Sequence, residues 1–328
     1  MPELLCVTDK SVLTVHPTHP CPCASGKQVR DCCGTDGIVR PSYATARSGM
    51  LSTGAVKGCY AACLGDCGGK ISSEHPISEN LLNKLSHDDK VHAKGPAWRG
   101  GKWLAPSALG SNILCQRHNE SLSAFDGRMG RSADFILHVA TYPLRKKKKQ
   151  KKRSPPQDRL FVMHGRDLER WLLKCLCGQV AGGHAADLDG VRFPRQVPPQ
   201  WVRVLFGCED MPRTWGAYIT FPDGAVVPGS NIRGVVPTLG RRTIQSAPLS
   251  RDGQVIGLRS TVFGWQIDLL MHDVDPDQDG WVYRPTQVNY QVPYRALVHL
   301  YWEPDDRSIV PGRTAEPIVK LNGGAGPT

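Results

Sequence analysis

Cys59-Tyr-Ala-Ala-Cys63-Leu-Gly-Asp-Cys67, then Ile71-Ser-Ser-Glu74-His75-Pro76-Ile77-Ser78, then Asn112-Ile-Leu-Cys115-Gln-Arg-His118-Asn119 are the runs on which the reading of the fold turns. Cys63-x-x-x-Cys67 and Cys115-x-x-His118 together offer four ligands at spacings that suit a tetrahedral zinc site. Cys59 competes for the place of Cys63 or Cys67, because either spacing is workable. Upstream, Cys21-Pro-Cys23-Ala-Ser-Gly-Lys-Gln-Val-Arg-Asp-Cys32-Cys33 supplies four thiolates in one short segment. Such a set leaves no position open for water, which makes the expected site structural.

Nine of the twelve cysteines precede residue 120, so two metal-nucleated modules are expected in front of a larger cysteine-poor region. No apolar run approaches membrane-spanning length, and Glu3 and Asp9 interrupt any leader-like start. A cytoplasmic protein follows as the expectation, and in that compartment reduced thiols bind metal more often than they form disulfides. The formal charge is +11. Most of it sits in one run, Arg145, Lys146, Lys147, Lys148, Lys149, Lys151, Lys152 and Arg153, broken only by Gln150. A dense basic run attracts phosphate backbone, and nothing in it can build a core, so it reads as a nucleic-acid-binding linker.

The chain therefore divides into a knuckle at 1–40, a connector at 41–57, a zinc module at 58–144, a basic linker at 145–158, a helix plus β-rich domain at 159–310 and a flexible tail at 311–328. Residues 94–106 suit a loop or short hairpin, and 133–144 read as a strand. Leu168, Trp171, Leu172, Cys175 and Leu176 form an amphipathic helical stripe, with Asp167 as cap and Gly178 as terminator. Cys175 and Cys177 have no partner pair nearby and read as buried thiols. From Trp201 onward, short apolar or alternating runs such as 201–206, 215–221 and 262–271 point to antiparallel strands. The fold class is α+β. His272, Asp273, Asp275 and Asp277 lack the spacing of a calcium loop and read as a polar turn.

Cys21, Pro22, Cys23, Ser25, Gly26, Lys27, Cys32 and Cys33 resemble the SEC-C motif, a short zinc knuckle attached to many functions; Ala24 stands where that motif usually has Gly. The segment from about 59 to 130 resembles the HNH (ββα-metal) endonucleases. That resemblance implies a hairpin pinned to a helix by zinc, with Cys115 and His118 as the second zinc pair. It implies Glu74 as an acidic ligand of a catalytic Mg²⁺ or Mn²⁺, His75 as general base, Asn112 as the middle Asn and Asn119 as the last ligand. A neutral histidine can take a proton from attacking water, and a hard divalent ion would neutralise the scissile phosphate. Glu120 and Asp126 read as solvated or capping residues, and His87 and His92 carry no assigned role. The leading expectation is a metal-dependent endonuclease. The alternative is a non-catalytic zinc protein that binds nucleic acid or a protein partner.

Overall fold

The computed structural model describes residues 13–35, 38–95, 98–141, 159–187, 190–220, 244–262, 265–274, 281–285, 287–291, 295–303 and 319–321. The basic run at 145–153 and the Asp-rich turn at 275–280 lie outside these residues. The fold is mixed helix and sheet. No helix among the described residues is long and apolar enough to cross a membrane.

Strand β1 (Leu13–Val15) precedes the first cysteine group, and β2 (Gly34–Thr35) and β3 (Ile38–Val39) follow it. The central region contains β4 (Ile71–Glu74), α1 (Glu79–Leu85), the hairpin β5 (Val91–Gly95) and β6 (Trp98–Leu104), and then β7 (Ser111–Cys115). Helix α2 (Gln116–Thr141) starts at the residue after β7. Residues 133–141 of the expected strand at 133–144 are thus the last part of this helix, and 142–144 lie outside the described residues. Leu122, Phe125, Met129, Ala133 and Ile136 are all buried at helical spacing, and that continuous face outweighs the local run of strand-formers.

Strand β8 (Arg159–His164) leads into α3 (Gly165–Gly182). The expected stripe is buried, but the cap is His164, whose side chain accepts a hydrogen bond from the Arg166 amide. Asp167 instead accepts from the Ala44 amide at 2.6 Å. Nor does Gly178 end the helix. Its missing side chain admits Pro76, since a Cβ there would lie 2.9 Å from the Pro76 Cα, and Gly183 at φ 73° makes the left-handed cap. Cys175 and Cys177 are buried within α3, and desolvation pushes both thiols up. Residues 199–206 form α4 (Pro199–Phe206), not a strand: Pro199 suits a first turn, and Trp201, Val202, Val204 and Leu205 bury one helical face.

The remaining strands are β9 (Gly216–Thr220), β10 (Ile244–Arg251), β11 (Gln254–Val262), β12 (Trp265–Leu270), β13 (Trp281–Tyr283), β14 (Gln287–Gln291), β15 (Arg295–Tyr301) and β16 (Val319–Leu321). Strands β9 to β13 make an antiparallel five-stranded sheet in the order β10-β11-β12-β9-β13. Strand β15 pairs antiparallel with β14 and parallel with β8. Of the expected flexible tail at 311–328, residues 319–321 form β16, which pairs with β1 and β3, and the rest lies outside the described residues.

One apolar core runs from Ala44 through Leu114, Leu122 and Phe125 to Leu172, Leu176, Ile267 and Trp302. Each of the fully buried Leu and Phe side chains contributes about 1.5–3 kcal/mol. The central cysteine region therefore shares its core with α3 and the five-stranded sheet. A second, small core holds Cys21, Cys23, Val29, Cys33, Val39 and Val162.

Candidate metal centres and the hairpin beside them

Two groups of side chains converge closely enough to hold a metal ion such as zinc. Cys21, Cys23, Cys32 and Cys33 form one, and Cys59, Cys67, Cys115 and His118 form the other, with all ligand atoms in a group within 4.8 Å of one another. In the first, the chain reverses through Ala24 at φ 57° and Gly26 at φ 82°. The Cys21 amide then donates to the Lys27 carbonyl at 2.8 Å. Cys23 and Cys32 sulfurs are 3.5 Å apart, Cys32 and Cys33 sulfurs 3.7 Å, and Ser25 Oγ lies 3.1 Å from Cys32 Sγ. Hydrogen bonds from the Cys21 and Cys33 thiols hold Cys23 far below the usual thiol range, while Cys21 is pushed up to about 12 by its contact with Cys23. Four crowded sulfurs cannot all shed their protons unless a cation compensates them.

The second group is buried throughout. His118 Nδ1 lies 3.2 Å from Cys115 Sγ, 3.3 Å from Cys59 Sγ and 3.7 Å from Cys67 Sγ. With Nδ1 turned toward the sulfurs, Nε2 donates to Asp66 Oδ1 at 2.9 Å, and Arg117 also donates to that carboxylate. A carboxylate behind a ligating histidine fixes its tautomer and raises its basicity. Burial works against the charge on Asp66, but the bonds from His118 and Arg117 hold its pKa below the ordinary value. Cys115 sits where β7 meets the start of α2. Burial raises its pKa, yet hydrogen bonds from the Gly68 and His118 amides prevail and hold the thiol below its usual range. Gly68 comes this close because a Cβ there would lie 2.4 Å from the Leu51 carbonyl oxygen.

Cys59, not Cys63, joins Cys67, Cys115 and His118 in the second group. Residues Ala62–Leu64 form a single 3-10 turn that leaves Cys63 exposed, while Cys59 points into the core. Sequence reasoning missed Asp66 altogether; its place beside Cys67 was the one available signal.

Between the groups, β4 pairs antiparallel with β7, with Ser73 opposite Asn112, Glu74 opposite Ser111 and a bulge at Ser72/Ser73. Asn119 Nδ2 donates to the Ser73 carbonyl at 2.9 Å and to Ser72 Oγ at 3.2 Å. Asn112 is exposed. His75 Nδ1 is 3.9 Å from Glu79 Oε2, and its buried Nε2 has no hydrogen-bond partner among the described residues. The hairpin thus brings His75, Asn112 and Asn119 around Ser73.

Glu74 faces the other way. Its carboxylate is 3% exposed and lies 2.6 Å from Lys174 Nζ of α3. Lys174 also donates to both Asp126 oxygens, at 2.8 and 2.9 Å, and to the His75 carbonyl at 3.1 Å. Ser78 closes the cluster, donating to Asp126 and accepting from Trp171 Nε1 at 2.7 Å. Asp126, half-buried, is therefore an ion-pair partner of Lys174. Burial pushes Glu74 up, only partly offset by Lys174, and the two carboxylates hold Lys174 above its usual pKa despite its own burial. Lys174 gave a faint sequence signal, a lone cation in Trp171-Leu-Leu-Lys-Cys-Leu-Cys177.

Among the described residues, no third group of His, Cys, Asp and Glu side chains converges on a metal position. Glu120 accepts from Ser48, and Asp273 accepts from Thr214 at 2.5 Å. Compared with protein-family descriptions, curated proteins and solved structures, the chain matches none.

Proposed function

We propose that this chain is a nucleic-acid-binding protein whose two cysteine-rich groups hold structural zinc. One observation carries the choice of binding over cleavage: Glu74 is buried and closed by Lys174. Glu74 consequently does not fit the part of a Mg²⁺ or Mn²⁺ ligand, which needs a carboxylate oxygen free to meet the ion. Each zinc group offers four protein ligands, so neither needs a water in its ligand sphere. Nucleic acid is the partner class favoured by the charge, 41 Lys and Arg against 30 Asp and Glu, and by the basic run between α2 and β8.

Two measurements test this. Metal analysis of the purified protein should give two zinc ions per chain, one for each group; clearly fewer sinks the paired-site reading. Fluorescence anisotropy with single- and double-stranded DNA and RNA should show binding that weakens steeply as salt rises. Absence of binding to all of these at low salt overturns the proposal.

An endonuclease is the second reading, favoured by His75. A buried ring nitrogen with no partner is costly. The ring's other nitrogen faces Glu79, while Lys174 holds the His75 carbonyl. Those are the features of a positioned base. Plasmid DNA and structured RNA incubated with Mg²⁺ or Mn²⁺ decide between the two. Cleavage that His75→Ala abolishes, with zinc content and folding intact, puts the endonuclease first.

A further inference from the structure

A cavity of about 210 Å³ lies beside the first turns of α3, walled by Arg166, Arg170, Arg213 and Arg284 together with Glu169 and Asp210. Glu169 is already committed. It accepts from Arg284 Nε at 2.9 Å and Nη2 at 3.1 Å, and from the Ala217 amide at 2.9 Å. Arg284 is itself held between aromatic rings, 4.9 Å from the Tyr283 centroid and 5.2 Å from that of Trp302. Its backbone adopts φ 45°, a left-handed conformation that a long side chain rarely takes. This wall of the cavity is thus rigid and strained.

Two more arginines of the lining sit side by side. Arg166 and Arg170 lie over the same Tyr43 ring, 5.5 and 5.8 Å from its centroid. Burial, and then the neighbouring Arg166, depress the Arg170 guanidinium against the pull of Asp167 and Asp210. The lining sets four guanidiniums against the two carboxylates of Glu169 and Asp210, and Glu169 is already held by Arg284. An anion with several acceptor oxygens suits that excess of positive charge, and guanidinium forks match phosphate in geometry.

We propose that this cavity binds a phosphate group, either the terminal phosphate of a nucleic-acid strand or a free phosphate. A concave site favours an end group over an internal phosphodiester, which continues in both directions. The strand-end case rests on the nucleic-acid reading above; the free-phosphate case does not.

The test uses the full chain. Thermal unfolding is followed with inorganic phosphate and with sodium chloride at matched ionic strength. Oligonucleotides carrying a 5′-phosphate or a 5′-hydroxyl are then titrated at fixed salt. Phosphate should raise the wild-type midpoint, and Arg170→Gln and Arg213→Gln should each remove that rise. Arg213 is exposed, so its variant keeps the test valid if Arg170→Gln folds poorly. The phosphorylated end should bind about tenfold more tightly, as expected for a new set of charge-assisted hydrogen bonds. If phosphate protects but both ends bind alike, the cavity stands with free phosphate as its occupant. If phosphate protects and no oligonucleotide binds, the cavity stands and the nucleic-acid reading falls. If oligonucleotides bind with no effect of phosphate or of the end group, the cavity proposal is overturned and nucleic-acid binding survives.

Discussion

The two cysteine groups each gather four side chains, four thiols in one and three thiols with a histidine in the other, and are built in opposite ways. Cys21, Cys23, Cys32 and Cys33 come from one turn of chain, close a small core of their own and touch the rest mainly through β8, where the Val162 amide donates to the Pro22 carbonyl at 3.1 Å. Cys59, Cys67, Cys115 and His118 come from two segments far apart in the chain and lie inside the main core. The first group orders its own loop. The second fixes β7 and the start of α2, and through them the packing of α3. What differs is the sequence distance that a metal in each would close, and with it how much of the fold would depend on the ion.

The largest expected effect breaks the central group. Cys59→Ser should release its zinc and abolish the main cooperative unfolding transition, because metal binding there is folding free energy. Cys63→Ser, four residues on, should leave zinc content and melting midpoint unchanged. Calorimetry and metal analysis on both variants check this. If Cys63→Ser loses zinc and Cys59→Ser keeps it, the ligand assignment is reversed. Cys32→Ser, in the local group and at its most exposed ligand, should loosen the N-terminal loop while the main transition persists. Next comes Lys174→Met. Removing the cation leaves the buried Glu74 unpaired beside the half-buried Asp126, a loss of about 3–5 kcal/mol measurable by urea unfolding. A loss below about 1 kcal/mol would mean that the cluster is far more hydrated than its burial implies.

The same contrast explains what the sequence disclosed. Cys21 to Cys33 could be read directly, because contiguous ligands carry their geometry in their spacing. Cys59 and Cys63 could not be separated, since both spacings work and only the 3-10 turn at Ala62–Leu64 decides between them. Residues 133–144 and 201–206 read as strands because both are short runs with apolar β-branched and aromatic residues. The helical form of 133–141 and 201–206 is set by burial against partners far along the chain. The long-range pairs left still less trace. Glu74 and Lys174 stand one hundred positions apart, and nothing near either announces the other. A carboxylate beside a histidine therefore suggested a metal ligand, when tertiary packing had already supplied its cation.

Smaller effects sharpen the contrast. Asp66→Asn should weaken zinc at the central group about 10- to 100-fold, as expected for losing the carboxylate behind a ligating histidine. A competition titration with a chromogenic chelator measures it, and unchanged affinity would remove Asp66 from the site. The folded Asp66 pKa is lowered, so its share of stability is present above the unfolded carboxylate range and disappears as pH falls through the folded value. Asp66→Asn should flatten the acid limb of the stability profile accordingly. The local group has no such carboxylate, and its zinc affinity should show no matching response to any single acidic substitution.

The smallest expected effect has the opposite sign. Ala24 sits in the first group at φ 57°, a left-handed conformation in which a Cβ crowds the backbone at a cost of about 1–2 kcal/mol. Glycine adopts it freely but gives more freedom to the unfolded chain, which takes back part of the gain. Ala24→Gly should therefore leave a net benefit of about 1 kcal/mol or less, confined to the N-terminal loop. Because that loop closes its own core, the gain should appear as slower zinc release from the Cys21–Cys33 group and slower amide exchange in that loop. The midpoint of the main transition should not move. If it does rise with Ala24→Gly, the two groups are energetically coupled through β8, and the local group is as much a part of the main fold as the central one.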